Sequence, residues 1–191
     1  MGVKRFREFK KRSAPTGDSR VLLNDEVIDE SFTVPSSSLG GGGDTSESIY
    51  ADTYDATGGT DVTNGAVVQL DTVRASSGAD FSLSNGVLAY NSASKLFFIV
   101  SHVSTDTGGG RDNSRFWLER STDGGTSWSK IQGTEGWMYN RTGSNGESTG
   151  ASSCILSLSS SDKLRLFSEG VNASGPVTTI ASASGLTAFG I

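Results

Sequence analysis

What most constrains this chain is a succession of short alternating runs, separated by turn signals, that begins near residue 65 and continues to Ile191. Residues 66–73 are rich in β-branched side chains, which suit a pleated, half-buried surface. Residues 81–84 alternate strictly, Asn85-Gly86 supplies the strongest short hairpin signal, and residues 87–90 return from it. Residues 95–103, KLFFIVSHV, form a near-continuous apolar run of the kind expected in a central sandwich strand. Residues 116–120, 127–131 and 136–139 follow, then a polar loop over 141–150. Residues 154–158 and 163–167 alternate on either side of the turn Ser160-Ser161-Asp162, and residues 177–180 and 186–191 complete the set. Roughly eight to ten strands at about 8–12-residue spacing predict a sandwich or barrel. No stretch carries a 3.6-residue period, so this part of the chain is all-β.

The N-terminal third lacks that rhythm. Residues 1–20 hold seven basic residues against Glu8 and Asp18, a net of +5. The other 171 residues hold nine basic and nineteen acidic residues, a net of −10. A basic terminus on an acidic body marks a tail with a partner of its own. Within residues 4–12, KRFREFKKR, two phenylalanines would share one side of a short helix. Such a helix is only marginal alone. The candidate anchor comprises Lys4, Arg5, Phe6, Arg7, Phe9, Lys10, Lys11 and Arg12, aromatic plugs with a cationic collar. It suits an acidic protein surface; nucleic acid phosphate is the less expected partner, and a solvated tail is the plain alternative.

Residues 21–34 place apolar side chains on both sides of an acidic patch, as a short strand or a docking peptide would. Residues 35–48 contain four consecutive glycines, 40–43, and read as a flexible coil. Residues 49–64 are acidic and turn-rich and are assigned to the same stalk. The expected division is therefore a basic arm over 1–34, a Gly/Ser-rich acidic stalk over 35–65 and a head over 66–191.

Few residues here could carry chemistry. The lone cysteine, Cys154, excludes an intramolecular disulfide, and its neighbours Ile155, Leu156 and Leu158 predict a packed strand residue. The lone histidine, His102, shares a face with Leu96, Phe98 and Val100 and reads as a packed or interface residue. No Ser-His-Asp or Cys-His arrangement, zinc spacing, phosphate loop or calcium loop is present. The acidic residues cluster in stalk and turns, where they solvate the surface, so no catalytic residue, metal or cofactor is expected. No window reaches the ~18 apolar residues that cross a bilayer, and no apolar stretch follows the basic N-terminus as in a secretory signal. Phe6 occupies the position where a myristoylation site needs Ser or Thr. The chain is expected to stay in a cytoplasm unless an assembly carries it out.

Two local features stand out. Residues 121–128, STDGGTSW, fit the S-x-D-x-G-x-x-W box of sialidase-like propellers. It occurs once, so it predicts a rigid hairpin in which Asp caps turn amides and Trp packs beneath, and not a repeated blade. Trp137, Tyr139 and Arg141 flank the polar loop and could stack on a sugar, or simply pack.

The ordered series FSLSNGVLAY, KLFFIVSHVS, SRFWLERSTDGGTSW, SCILSLSSSDKLRLF and LTAFGI resembles the heads of the tumour necrosis factor and complement C1q-like jelly-roll superfamily, in the versions found in phage structural proteins. The pair ILSLSSSDKLRL is similar to that family's two leucine strands joined at a turn Asp, whereas residues 91–95 stand where the family has a Gly-Tyr pair. The resemblance covers about 125 residues. It implies a jelly-roll sandwich assembled as a homotrimer, with Phe98, Val100, His102, Phe189 and Ile191 as candidates for the three-fold axis. It also implies binding to partners without chemistry. The expected protein is a virion component: a capsid-associated head fibre or decoration trimer held by its basic arm and projecting its head for surface adhesion or capsid stabilisation, with no membrane contact. A tail-fibre tip recognising host glycans is the alternative.

Overall fold

A computed structural model of the chain describes residues 20–25, 30–35, 48–108, 111–141 and 146–191. The candidate anchor at residues 4–12 and the glycines at 40–43 lie outside the described residues. The chain divides into two units after Ser46.

In the first unit, β1 (Arg20–Asp25) pairs antiparallel with β2 (Glu30–Pro35), Leu22 opposite Thr33 and Leu23 opposite Phe32. Within residues 21–34, where a short strand or a docking peptide is expected, residues 21–25 and 30–34 lie on these two strands.

The second unit is an antiparallel β-sandwich. Its strands are β3 (Tyr50–Tyr54), β4 (Ala66–Val67), β5 (Thr72–Ser76), β6 (Phe81–Ser84), β7 (Val87–Tyr90), β8 (Lys95–Thr107), β9 (Asp112–Ser121), β10 (Ser129–Lys130), β11 (Gly136–Asn140), β12 (Ser148–Leu158), β13 (Lys163–Val171), β14 (Val177–Thr179) and β15 (Gly185–Gly190). One sheet runs β12-β8-β15-β3-β5, with β14 also on β8. The other runs β10-β9-β13-β7-β6, with β11 also on β9 and β4 on β13. Among the described residues, no helix is long and apolar enough to cross a membrane.

The alternation in the sequence decides what each strand buries, because successive side chains leave a strand on opposite faces. On β8, Phe97, Ile99 and Val103 point inward and are buried, while Leu96, Phe98 and Val100 stay exposed. Phe97 and Ile99 join Leu118, Leu164 and Leu166 of the opposite sheet in one core. Phe81, Tyr90 and Phe97 form an aromatic trio with centroids 5.0–5.6 Å apart. Each such side chain, fully buried, stabilises the fold by about 1.5–3 kcal/mol.

Part of the sandwich is held by hydrogen bonds instead. Thr105 Oγ1 meets Ser114 Oγ at 2.9 Å and accepts from Asn140 Nδ2 at 3.1 Å, all buried. The buried Asp55 accepts from Gly58 N–H and from the Thr179 hydroxyl at 2.8 Å. The buried Asp112 accepts from Ser174 N–H at 2.8 Å. Pairing of this kind offsets the cost of burying polar groups, although Asn140 Oδ1 is buried without a partner among the described residues.

Two boundaries differ from expectation. The assigned stalk over 35–65 does not extend through residues 49–64. β3 lies between β15 and β5, and Val62 is buried with its N–H on Val177 O at 2.8 Å, so the second unit begins at Glu47 and not at 66. The inward residues of β3 are Ala51 and Thr53, both fully buried but small or polar, and their hydropathy resembles that of a turn. The expected polar loop over 141–150 likewise ends early, because β12 starts at Ser148 and pairs with the polar half of β8.

Candidate functional site

The outer face of the six-stranded sheet carries an apolar row that crosses four strands. Register places Ile155 opposite Phe98, Phe98 opposite Phe189, and Phe189 opposite Tyr50. Ile155 is 58% exposed, Phe189 47% and Phe98 42%. Leu96 is also exposed. Ile191, just beyond β15, donates its N–H to Leu96 O at 3.0 Å and is itself exposed. Contiguous apolar patches are characteristic of interaction surfaces.

The next rows become polar. Val100 stands opposite Thr187, and Thr187 opposite Asp52, whose carboxylate accepts the Thr187 hydroxyl at 3.0 Å and pairs with Arg74 at 3.1 Å. Arg74 also lies 4.8 Å over the Tyr54 ring. His102 stands opposite Gly185, and a Cβ there would come within 2.8 Å of the imidazole Cε1, so the glycine makes room for the ring. Burial lowers the His102 pKa, with Arg74 acting in the same direction and Asp52 opposing. The structure thus brings Phe98, Val100, His102, Phe189 and Ile191 to one face. Sequence reading missed Ile155 and Tyr50; β12 alternation, with Cys154 turned to the core, was the available signal for Ile155.

The outer face of the seven-stranded sheet is aromatic and charged. Trp137 and Tyr139 leave β11 on the same side, 56% and 49% exposed, and Arg141 follows, also exposed. Arg115 lies 5.6 Å over Trp137 and 5.4 Å over Trp117, and it pairs with Glu169. Trp117 stacks on Phe167 with centroids 5.0 Å apart and donates its Nε1–H to Glu119 at 2.9 Å.

The 121–128 hairpin forms as its residues predict. Asp123 accepts from the Ser121 hydroxyl at 2.7 Å and from the backbone N–H groups of Thr126 and Ser127 at 3.0 and 2.9 Å. These donors, with the Ser127 hydroxyl foremost, hold its carboxyl well below the usual range. Trp128 donates its Nε1–H to Gly125 O at 3.1 Å.

Cys154 is half-buried against the core, and burial pushes its thiol pKa up, away from nucleophilic thiolate. Among the described residues, no group of three or more His, Cys, Asp or Glu side chains is placed to hold a metal ion.

No protein-family model matches this sequence, and no curated protein does either. Solved structures do match. A TNF protein, Eiger, from S. frugiperda superposes with a TM-score of 0.58 at 12% identity, covering 75% of this chain and 92% of its own. Murine APRIL at pH 8.5 gives 0.56 at 10% identity, covering 76% of this chain and all of its own, and at pH 5.0 it gives 0.54 at 8% identity. The second unit is therefore a TNF-like antiparallel jelly-roll sandwich.

Proposed function

We propose that the sandwich is the trimerising, non-enzymatic head of a structural virion protein, a capsid-associated fibre or decoration anchored by its basic N-terminal arm. One observation carries the trimer: the row Ile155, Phe98 and Phe189, apolar and exposed on the outer face of the six-stranded sheet, with half-buried Tyr50 at its end. A second and third copy packed on this face would remove that surface from water, and the TNF-like fold supports the arrangement. The order of a basic aromatic segment, a glycine run and a compact head supports the anchored fibre. Three weak arms on one trimer act together through effective concentration.

Light scattering on the full chain should return three times the protomer mass, and Phe98→Glu should return a monomer with unchanged far-ultraviolet circular dichroism. A monomeric wild type rejects the trimer. Deleting residues 1–20 should leave a folded trimer that no longer co-sediments with particles; co-sedimentation that persists rejects the anchor.

A tail-fibre tip recognising host glycans is favoured by one observation, the adjacent exposure of Trp137 and Tyr139. Glycan-array binding abolished by Trp137→Ala, with the trimer intact, would support it, and a flat array would count against it.

A further inference from the structure

At the far side of the seven-stranded sheet from β11, the outer face is indented. Its floor is built of small side chains, with Ser82 opposite Ala89 and Ser84 opposite Val87. The next strand sets Lys163 opposite Ala89 and Arg165 opposite Val87. The 121–128 hairpin stands beside them as a wall and brings Gly124, Gly125 and Trp128 to the rim. The result is a shallow cleft of about 590 Å³. Small-molecule sites span roughly 300–1,000 Å³.

The groups around it are fixed in advance. Asp123 pins the hairpin through its turn amides. The Arg165 guanidinium lies 4.1 Å from the Trp128 ring centroid and its Nε–H donates to Glu119 at 2.7 Å, so its charge is already matched. Lys163 differs. Its ammonium donates to the backbone oxygen of Gly124 at 2.6 Å, and among the described residues no carboxylate pairs with it. Its ammonium has two further hydrogens, and it borders a cleft whose lining includes the hydroxyls of Ser82 and Ser84, the amides of Asn85 and Asn91, and the Trp128 indole.

We infer that this cleft binds an acidic saccharide, with the sugar carboxylate on Lys163, ring hydroxyls on Ser82, Ser84 and Asn91, and an apolar sugar edge against Trp128. A neutral sugar leaves Lys163 without a counter-charge. A bare inorganic anion leaves the hydroxyl floor and the indole wall unused. The inference deepens the glycan-recognising alternative above, but it rests on a different surface from Trp137 and does not require the trimer.

The test is titration calorimetry on the full chain with tetragalacturonate, maltotetraose and sulfate. Tetragalacturonate should bind with a sub-millimolar Kd, and the other two at least about tenfold more weakly. Lys163→Gln should weaken tetragalacturonate about 10- to 100-fold, the range for losing one charged hydrogen bond. Ser84→Trp fills the cleft from an exposed position and should abolish binding, while Trp137→Ala should leave it unchanged. The inference is overturned if tetragalacturonate fails to bind, if maltotetraose or sulfate binds as tightly, or if Lys163→Gln binds like the wild type. Light scattering on the same samples separates the two readings: a trimer that ignores the sugar refutes this inference alone, and a monomer that binds it refutes the trimer alone.

Discussion

His102 is the chain's single histidine, so one imidazole resonance pair reports its titration by proton NMR without assignment. Burial, seconded by Arg74, holds its pKa below the ordinary 6.5. The unfolded chain therefore binds more protons than the folded one in that window. The neutral ring's contribution is complete above about pH 6.5 and is lost as pH falls through the folded value. A midpoint below 6.5 is expected, and His102→Gln should flatten that limb of the stability curve; a midpoint at or above 6.5 contradicts the burial argument. Asp71 behaves alike at lower pH. The Thr57 hydroxyl and the Ala56 N–H at 2.8 Å bring its pKa to about 2, so its contribution is present above the ordinary 3.8 and disappears as pH falls towards 2. Steric fit supplies a third residue-level prediction. A Cβ on Gly136 would lie 2.2 Å from the Phe116 ring, and Gly136→Ala should destabilise by about 1–3 kcal/mol in urea denaturation.

Among elements, the β6–β7 hairpin turns on Asn85 and Gly86, with φ of 50° and 75°. A Cβ on Gly86 would also meet Val68 O at 2.6 Å, so Gly86→Ala combines strain and clash and should cost about 1–3 kcal/mol. Phe97→Ala, in the aromatic trio of the core, should cost about 3–5 kcal/mol. Both are measured by chemical denaturation at unchanged m-value. These two elements were legible in the sequence because their cues are local: an Asn-Gly turn and an apolar run with period two. β3 was not, since its buried side chains are Ala51 and Thr53, and hydropathy assigns such residues to turns. The polar half of β8, the start of β9 and the start of β12 escaped for the same reason. Thr105, Ser114 and Asn140 look like loop residues until their partners, supplied by different strands, are known. The outward apolar row was partly legible: strand parity placed Phe98, Val100 and His102 together, but only cross-strand register sets Ile155 and Tyr50 beside them. The Lys163 cleft depends on three strands and a hairpin, and no single stretch of sequence contains it.

At the scale of the whole molecule, the division after Ser46 leaves residues 47–191 with a complete core of their own. That fragment should fold alone and melt, by calorimetry, within a few degrees of the full chain; an unfolded fragment would show that the first unit is required. The pairing of β3 with β15 has a different consequence, one of timing. Thr187 bonds Asp52 across 135 residues of chain. Such pairings carry a large loop-closure entropy and slow folding towards the millisecond-to-second range. At a synthesis rate of about 5–20 residues per second, β3 emerges roughly 7–27 s before β15 exists, although β5, its other neighbour, follows soon after β3. Through that interval the ladder groups on its β15 edge are open to any other nascent strand. Its small inward side chains and the acidic Asp52 at its centre make it a poor seed for such pairing. The composition that hid β3 from hydropathy also protects that edge while it waits for β15.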